Sequence, residues 1–202
     1  MQRKFWAACI LATILLFFST RIEAITVMSF SVEELAARAE KVFVGTCTNV
    51  SHKVNDRGIP VVEVTFAVAE TIKGEVGSTV TFQQFDAQTQ PPPQPTTADD
   101  RIRELPQGIF AKAALIEMPT YQPGQEVVLF LAAPGKLGLT SPIGLVQGKL
   151  PITTLASGEK MVTNTALRKT ATTDSTLPDP GKTARYDHFL KALRTVIQTT
   201  TN

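Results

Sequence analysis

Cysteine and histidine are the side chains in this sequence whose types and spacing could form a reactive pair. Cys47 and His52 lie five residues apart. A thiol becomes nucleophilic when a neighbouring base or positive charge lowers its pKa, so these two residues could form a cysteine-dependent catalytic pair if they met at the end of a strand. Cys47 falls within an alternating strand pattern, however, where a small apolar side chain packs into a core. We therefore favour core packing for Cys47 and keep the enzyme as an alternative.

Other kinds of catalytic or ligand-binding site are not indicated by the spacing of residues. His52, His188 and one cysteine do not give the set of ligands that a zinc site needs. The acidic residues Glu63, Glu70 and Glu75 are scattered over strands and loops, so they do not indicate a carboxylate pair. We expect no catalytic residue, no metal and no cofactor.

The first 24 residues have the pattern of a secretory signal peptide. Arg3 and Lys4 precede an uncharged run over residues 5–20, and the segment ends on a small residue, Ala24. We expect cleavage between Ala24 and Ile25. The apolar run is short for a membrane span, so we expect no membrane-spanning segment after processing, with a retained anchor as the alternative. The pattern predicts a secreted or periplasmic protein.

The charge of the mature chain argues against nucleic acid as a partner. Residues 1–24 carry three of the 20 basic and one of the 18 acidic residues, so their removal leaves 17 of each. A neutral chain without a run of basic residues and interleaved aromatic residues lacks the features that bind the phosphate backbone of a nucleic acid. Cys9 is removed with the same segment, so Cys47 would be the only cysteine and could form no intrachain disulfide.

Local patterns predict a mainly β protein with a helix at each end. A capping box at Ser31 and Glu34 predicts a short helix that ends near Ala39. Alternation with period two begins at Lys41, and a glycine inside that strand, Gly45, indicates a bend or bulge. Further strands are expected over residues 61–70, which should pair antiparallel with the first strand, and over residues 79–85, 110–118 and 126–132.

The organisation of the chain follows from these elements. Residues 25–165 are predicted to form one β domain that contains an exposed, proline-rich insertion over residues 86–108. Residues 139–152 are interrupted by proline and glycine, which is typical of a bent strand near an edge. Residues 166–182 are expected to form a linker. Residues 183–202 are expected to form an amphipathic helix with Thr183 as a possible N-cap.

Several short segments together resemble the netrin-like family, which includes the tissue inhibitors of metalloproteinases. The resemblance covers residues 39–150 and depends on residues 39–46, the strand ending in Lys73-Gly74, residues 80–82, and the strand over residues 124–130. Residues 144–150 are also similar to a run in secreted bacterial proteins of the same layout. The resemblance implies an OB-fold-like antiparallel β-barrel. It therefore adds a barrel to the predicted fold: mainly β, with a short N-terminal helix and a C-terminal amphipathic helix.

The same resemblance implies a partner but not the inhibitors' mechanism. In those inhibitors an N-terminal cysteine chelates the zinc of the protease, whereas the mature chain is expected to begin at Ile25 without a cysteine nearby. We therefore expect a non-enzymatic module that binds another secreted or envelope protein, or an envelope component. Binding would occur through exposed loops whose polar residues can form hydrogen bonds to the partner. A metalloprotease-inhibitor-like protein is a further alternative. The candidate binding residues form two loops: Asn55, Asp56, Arg57 and Gly58, and Lys73, Gly74 and Glu75.

Overall fold

A computed structural model describes residues 30–86, 118–163 and 183–201 of the chain. The predicted signal peptide with its cleavage site at Ala24 and Ile25 lies outside the described residues. So do the linker over residues 166–182, the insertion apart from its first residue, and the strand predicted over residues 110–118 apart from its last residue.

The described residues form one antiparallel sheet of seven strands with two α-helices. In chain order the elements are α1 (Val32–Arg38), β1 (Lys41–Val54), β2 (Pro60–Lys73), β3 (Thr79–Phe85), β4 (Glu126–Leu131), a 3₁₀ helix (Leu145–Gly148), β5 (Lys149–Thr154), β6 (Lys160–Thr163), β7 (Thr183–Arg185) and α2 (Tyr186–Thr201). The strands lie side by side in the order β3-β2-β1-β4-β5-β6-β7.

The predicted fold class is confirmed, but closure into a barrel is not. The chain is mainly β, with a short N-terminal helix and a C-terminal helix, as expected. The sheet is open, because no ladder joins its edge strands β3 and β7 within the described residues. No helix in this part of the chain is long and apolar enough to cross a membrane.

Helix α1 begins with the predicted capping box. The backbone N–H of Glu34 donates to Oγ of Ser31 over 3.2 Å, and the backbone N–H of Ser31 donates to Oε2 of Glu34 over 2.8 Å. These two bonds satisfy donors that have no partner within the helix. Val32, Leu35 and Ala36 form the buried side of α1. The short apolar stripe therefore docks on the sheet, as the sequence indicated.

Strands β1 and β2 form a long hairpin that is bent at Gly45. The register between the strands shifts between Val44 and Gly45, which confirms the predicted bulge. A Cβ atom at position 45 would lie 2.9 Å from the carbonyl oxygen of Ala67, so the close approach of the two strands requires glycine there. The hairpin places His52 close to its turn, which lies between Val54 and Pro60.

Two hydrophobic cores lie on opposite faces of the central strands. The first core packs α1 and α2 against the sheet and includes Val42, Val128, Phe130 and Phe189. The second core lies on the other face and includes Phe43, Phe66, Phe82, Tyr121 and Leu129. Because β4 contributes to both cores, its apolar run is continuous instead of alternating.

The C-terminal half differs from the prediction at two places. Residues 139–152 were expected to form a bent strand near an edge, but they contain a 3₁₀ helix followed by β5, which lies between β4 and β6. Thr183 does not cap the last helix, because it belongs to β7 and pairs with Thr163 of β6. Helix α2 begins at Tyr186 and buries Phe189 and Leu193 in the first core. The terminal helix is thus part of the same core as the sheet.

Candidate functional site

A cavity of about 360 Å³ lies beside the turn of the β1–β2 hairpin. Its walls come from the end of β1, the start of β2, the end of β3 and the segment that leads towards β4. The lining residues are Val50, His52, Val62, Gln84, Phe85, Asp86, Met118, Pro119, Thr120, Tyr121 and Gln122. We call this feature the His52 cavity. Its volume lies within the range of about 300–1,000 Å³ that is usual for ligand sites.

A histidine–aspartate pair forms one side of the His52 cavity. Nδ1 of His52 lies 2.7 Å from Oδ2 of Asp86. The Asp86 side chain is only 2% exposed, whereas the His52 side chain is 56% exposed. The backbone N–H of Asp86 donates to the carbonyl of Pro60 over 3.1 Å, which fixes this end of β3 against β2. Asp86 was assigned to the exposed insertion, and this assignment was wrong because the residue is buried.

Gln84 lines the cavity and carries a buried acceptor without a partner. The residue is 3% exposed, and its Nε2 donates to the carbonyl of Pro119 over 2.7 Å. A carbonyl can only accept, so this bond fixes which end of the amide is nitrogen. Oε1 of Gln84 is buried and has no hydrogen-bond partner. A buried polar atom left in this state costs about 1–3 kcal/mol.

Tyr121 contributes a second buried polar atom without a partner. The residue is 7% exposed, and its ring packs edge-on against Phe66 and Phe82 with centroid distances of 5.6 and 5.9 Å. Its hydroxyl oxygen has no hydrogen-bond partner. Burial raises the pKa of the phenol far above its ordinary value, so the hydroxyl is neutral at every physiological pH. Two residues that line the cavity thus each carry a buried polar atom without a hydrogen-bond partner.

The Cys47–His52 pair of the alternative enzyme hypothesis is not formed. Cys47 is buried in the second core, and its Sγ donates to the carbonyl of Asn49 at 3.7 Å. Burial raises the pKa of the thiol, which favours its protonated and unreactive form. His52 is instead held by Asp86. The two residues have different partners, in agreement with the core-packing interpretation of Cys47.

The part of the chain that the structure describes contains no cluster of three or more histidine, cysteine, aspartate or glutamate side chains able to hold a metal ion. His188, the other histidine considered for a metal site, is exposed near the start of α2. Its Nε2 lies 4.0 Å from the carboxylate of Asp187. His52 and His188 are thus in different environments, and His52 lines the cavity described above.

The first candidate loop is a tight turn whose geometry depends on two of its four residues. Oδ1 of Asn55 accepts hydrogen bonds from the backbone N–H groups of Arg57 and Ile59, each over 3.0 Å. Gly58 has a φ of 73°, which favours glycine. Asp56 and Arg57 are exposed at the tip. Asn55 and Gly58 are therefore structural, and Asp56 and Arg57 are available for binding.

The second candidate loop has a largely structural role. Nζ of Lys73 donates to the carbonyls of Ala36 and Ala37 over 2.7 and 3.2 Å, at the C-terminal end of α1. Gly74 has a φ of 75°, and a Cβ atom there would lie 2.5 Å from the carbonyl oxygen of Glu40. Only Glu75 is left exposed without such a role. The lysine–glycine pair thus attaches α1 to the sheet.

The two candidate loops lie at opposite ends of the β1–β2 hairpin. Val54 pairs with Pro60 at one end of the β1–β2 ladder, and Val42 pairs with Lys73 at the other end. At about 3.3 Å per residue, the two ends are roughly 40 Å apart along the strand. The His52 cavity lies near the first loop, because His52 precedes Val54 by two residues. We therefore centre the proposed partner site on the first loop, and binding by the second loop stays a prediction.

Sequence reasoning missed three residues of the site: Gln84, Asp86 and Tyr121. A signal for Gln84 was present, because Val80, Phe82 and Gln84 share one face of an alternating strand and the first two are apolar. Tyr121 gave no such signal, since its position against Phe66 and Phe82 depends on how a segment distant in sequence packs on the sheet.

Comparison with known proteins identifies no relative. No protein-family model, curated protein or solved structure matches this chain. The resemblance to the netrin-like family therefore stays a prediction from short motifs, and the site is interpreted from its own geometry.

Proposed function

We propose that this chain is a secreted or periplasmic, non-enzymatic module that binds another secreted or envelope protein at the His52 cavity and the adjoining hairpin turn. The observation that carries the proposal is a cavity of about 360 Å³ that His52 and Tyr121 line, beside a hairpin turn whose tip exposes Asp56 and Arg57.

The surface next to the cavity has a composition suited to protein recognition. Nη1 of Arg57 donates to the carbonyl of Lys136 over 3.0 Å, which joins the hairpin turn to the loop after β4. Val54 and Leu137, close in sequence to these two residues, are among the few large apolar side chains exposed in the described residues. We call Val54, Asp56, Arg57 and Leu137 the hairpin surface. Exposed apolar groups around an arginine are common in interfaces between proteins.

A non-enzymatic role is supported by the environment of the one thiol considered as a nucleophile. Cys47 is buried and its pKa is raised, whereas a catalytic cysteine needs an exposed thiol with a lowered pKa. His52 and Asp86 have the arrangement of a base and the group that orients it. The hydrogen bonds of the described residues link no thiol or hydroxyl to His52, so this pair is better explained as part of a binding wall.

Export is the part of the proposal that depends on the sequence alone. The apolar run over residues 5–20 and the small residue at position 24 support it. Mass spectrometry of the exported protein should find Ile25 as the first residue. A protein that stays in the cytoplasm with Met1 in place would contradict the proposed location without affecting the proposed binding surface.

The binding surface is tested by capture of a partner with matched variants. The purified chain is immobilised and incubated with the extracellular or periplasmic fraction of its source, and retained proteins are identified by mass spectrometry. We expect a protein that the unmodified chain and Glu75→Gln retain and that the double variant Arg57→Glu, Leu137→Asp loses. Glu75 is the control because it is exposed at the opposite end of the hairpin. Equal retention by all three proteins would contradict the proposed surface.

A further inference from the structure

We infer that the outer edge of β3 binds an extended segment of a partner polypeptide, which adds to the sheet as a further strand. This inference goes beyond the proposed function, because it concerns an edge of the sheet and neither the His52 cavity nor the hairpin surface. Addition of a strand to an open edge is a common way in which a sheet binds a peptide, since backbone hydrogen bonds supply the affinity.

Alternate residues of β3 direct their backbone groups away from β2. The carbonyl of Ser78, just before β3, accepts a hydrogen bond from the N–H of Val68 in β2, so the even-numbered residues face β2. The carbonyl of Gln83 instead accepts from the N–H of Thr140, which lies outside β2. The register between β2 and β3 is continuous, and successive residues of an antiparallel strand point to opposite sides. The odd-numbered residues of β3 therefore face outwards.

Thr79, Thr81 and Gln83 thus form an open strand edge. The outward N–H and C=O groups of Thr79 and Thr81, and the N–H of Gln83, have no hydrogen-bond partner in the part of the chain that the structure describes. Thr79 and Thr81 are also exposed. From Thr79 to Gln83 the edge is roughly 13 Å long, at about 3.3 Å per residue. Its donors and acceptors have the spacing that another strand requires.

The residues of β3 carry none of the features that keep the edges of sheets from pairing. The strand Thr79–Phe85 has the sequence TVTFQQF, which contains no charged residue and no proline. Exposed edges are usually protected by lysine, by proline or by a bulge, because an unprotected edge pairs with other chains. Threonine, valine and phenylalanine also favour extended backbone. The composition of β3 therefore indicates an edge that pairs with a partner.

The two faces of the sheet beside this edge determine which side chains the added segment carries. Val80 is half-buried and packs against the second core, so a residue placed beside it on that face would be apolar. On the other face the Oγ1 atoms of Thr65 and Thr81 lie 3.0 Å apart at an exposed position, so a residue there would be small and polar. Because alternate side chains of a strand point to opposite faces, the structure favours a segment of alternating apolar and small polar residues.

A single extended segment fits this edge better than β3 of a second copy. The segment that contains Thr140 already meets the edge at Gln83, so the open stretch is short. A second copy would bring the same segment at its own Gln83, and two folded sheets would have to approach each other beside it. An extended segment has no folded body beside its backbone. The occupant is therefore a partner's extended segment.

A peptide that can add as a strand tests the edge. The peptide acetyl-Lys-Thr-Val-Thr-Val-Thr-Lys-amide is added at millimolar concentration to the full chain, and binding is followed by NMR. We expect the backbone amide resonances of Thr79, Thr81 and Gln83 to shift and their exchange with deuterated solvent to slow. The same peptide with N-methylated backbone amides should bind about tenfold more weakly, because it keeps the side chains but loses hydrogen bonds. Equal binding of the two peptides, or no change at these amides, would overturn the inference.

Matched variants locate the peptide at the edge. Thr81→Pro removes an N–H that takes no part in pairing with β2, and proline is tolerated on edge strands, so this variant should fold but should not bind the peptide. Thr65→Val changes a hydroxyl on β2 and leaves the edge intact, so it should bind as the unmodified chain does. Circular dichroism shows whether each variant is folded. If Thr81→Pro does not fold, the comparison of the two peptides on the unmodified chain still decides the question.

Sedimentation velocity tests a second copy as the occupant. We expect the unmodified chain to be a monomer when no partner is present. A dimer that Thr81→Pro dissociates would overturn the assignment of this edge to a partner's segment.

The capture experiment separates this inference from the proposed function. If the peptide binds the edge of β3 but no protein is captured through the hairpin surface, the proposed function is wrong and the inference about the edge stands. If a protein is captured through the hairpin surface but the peptide does not bind the edge, the inference is wrong and the proposed function stands.

Discussion

The backbone N–H of Thr140 donates a hydrogen bond to the carbonyl of Gln83 over 2.9 Å. This bond joins the chain that follows the central strand β4 to the free edge of β3, which is the first strand of the sheet. The sheet must therefore curl between β3 and β4, and the second core lies on its concave side. One bond of this kind does not make a strand ladder, so the sheet is strongly curved but open. The curl also brings the loop of Lys136 to Arg57.

Phe130 should be a major contributor to stability. It is fully buried in the first core with Leu150 and Phe189. The substitution Phe130→Ala should lower the free energy of unfolding by about 3–5 kcal/mol, because it removes buried apolar surface and leaves a void. Urea denaturation measures this change. Val54→Ala, at an exposed site, is the control and should cost far less. Similar losses for both variants would show that Phe130 is not in a core.

Gly74 and Gly58 provide a matched test of the attachment of α1. Both have a positive φ, 75° and 73°, but a Cβ atom at 74 meets the carbonyl of Glu40 whereas a Cβ atom at 58 meets nothing within 4 Å. Gly58→Ala should cost about 1–2 kcal/mol from backbone strain alone. Gly74→Ala should cost more, since the clash adds to the same strain. Thermal unfolding of the two variants checks the order, and a smaller loss at 74 would contradict the contact.

Lys73 should affect stability and not recognition. Its Nζ bonds to the carbonyls of Ala36 and Ala37 at the end of α1, where a positive charge is favourable. Lys73→Met should lower the free energy of unfolding by about 1–2 kcal/mol, because these carbonyls lose a charged donor. The variant should still retain the captured partner. Loss of the partner from a folded Lys73→Met protein would restore the second loop as a binding site.

Cys47 should resist modification while the chain is folded. The thiol is buried and its pKa is raised, so both access and thiolate formation are suppressed. In a Cys9→Ser background, a disulfide reagent at about pH 8 should react slowly with the folded protein and rapidly after urea is added. Rapid reaction in the absence of urea would favour the alternative of a cysteine-dependent enzyme.

The same thiol should make the free energy of unfolding depend on pH in the alkaline range. Because the pKa of Cys47 is higher in the folded than in the unfolded state, the folded protein holds this proton more tightly. The stabilisation of the folded state from this tighter proton binding is fully present below the unfolded pKa of about 8.5. It is lost as the pH rises above that value, by up to about 1.4 kcal/mol per pH unit. The buried phenol of Tyr121 acts in the same direction above about pH 10, and Lys149, whose pKa is lowered by burial, acts in the opposite direction.

A comparison between the unmodified chain and Cys47→Ala isolates the thiol. The free energy of unfolding is measured by urea denaturation at several pH values between about 7 and 10. The difference between the two proteins should be constant up to about pH 8 and should then shift in favour of Cys47→Ala. A difference that does not change with pH would mean that the thiol ionises equally in both states.

The local elements of this protein were determined by short-range patterns in its sequence. The capping box at Ser31, the bulge at Gly45 and the extent of β3 all depend on neighbouring residues, so they could be predicted without knowledge of the fold. The burial of β4 on both faces could likewise be expected from its continuous apolar run. Such features depend on periodicity and on the backbone preferences of single residues, and both can be read from the local sequence.

The candidate site was decided by the tertiary structure alone. Asp86 ends β3 in sequence, but the curl of the sheet and the bond to Pro60 bury it beside His52, which lies 34 residues earlier. Tyr121 reaches the same cavity from a third segment. The role of Lys73, structural or binding, could not be predicted from the sequence either. Only the packing of α1 shows that its ammonium group donates to helix carbonyls. The meeting of residues distant in sequence depends on packing and sheet curvature, and these are properties of the whole fold that no local pattern contains.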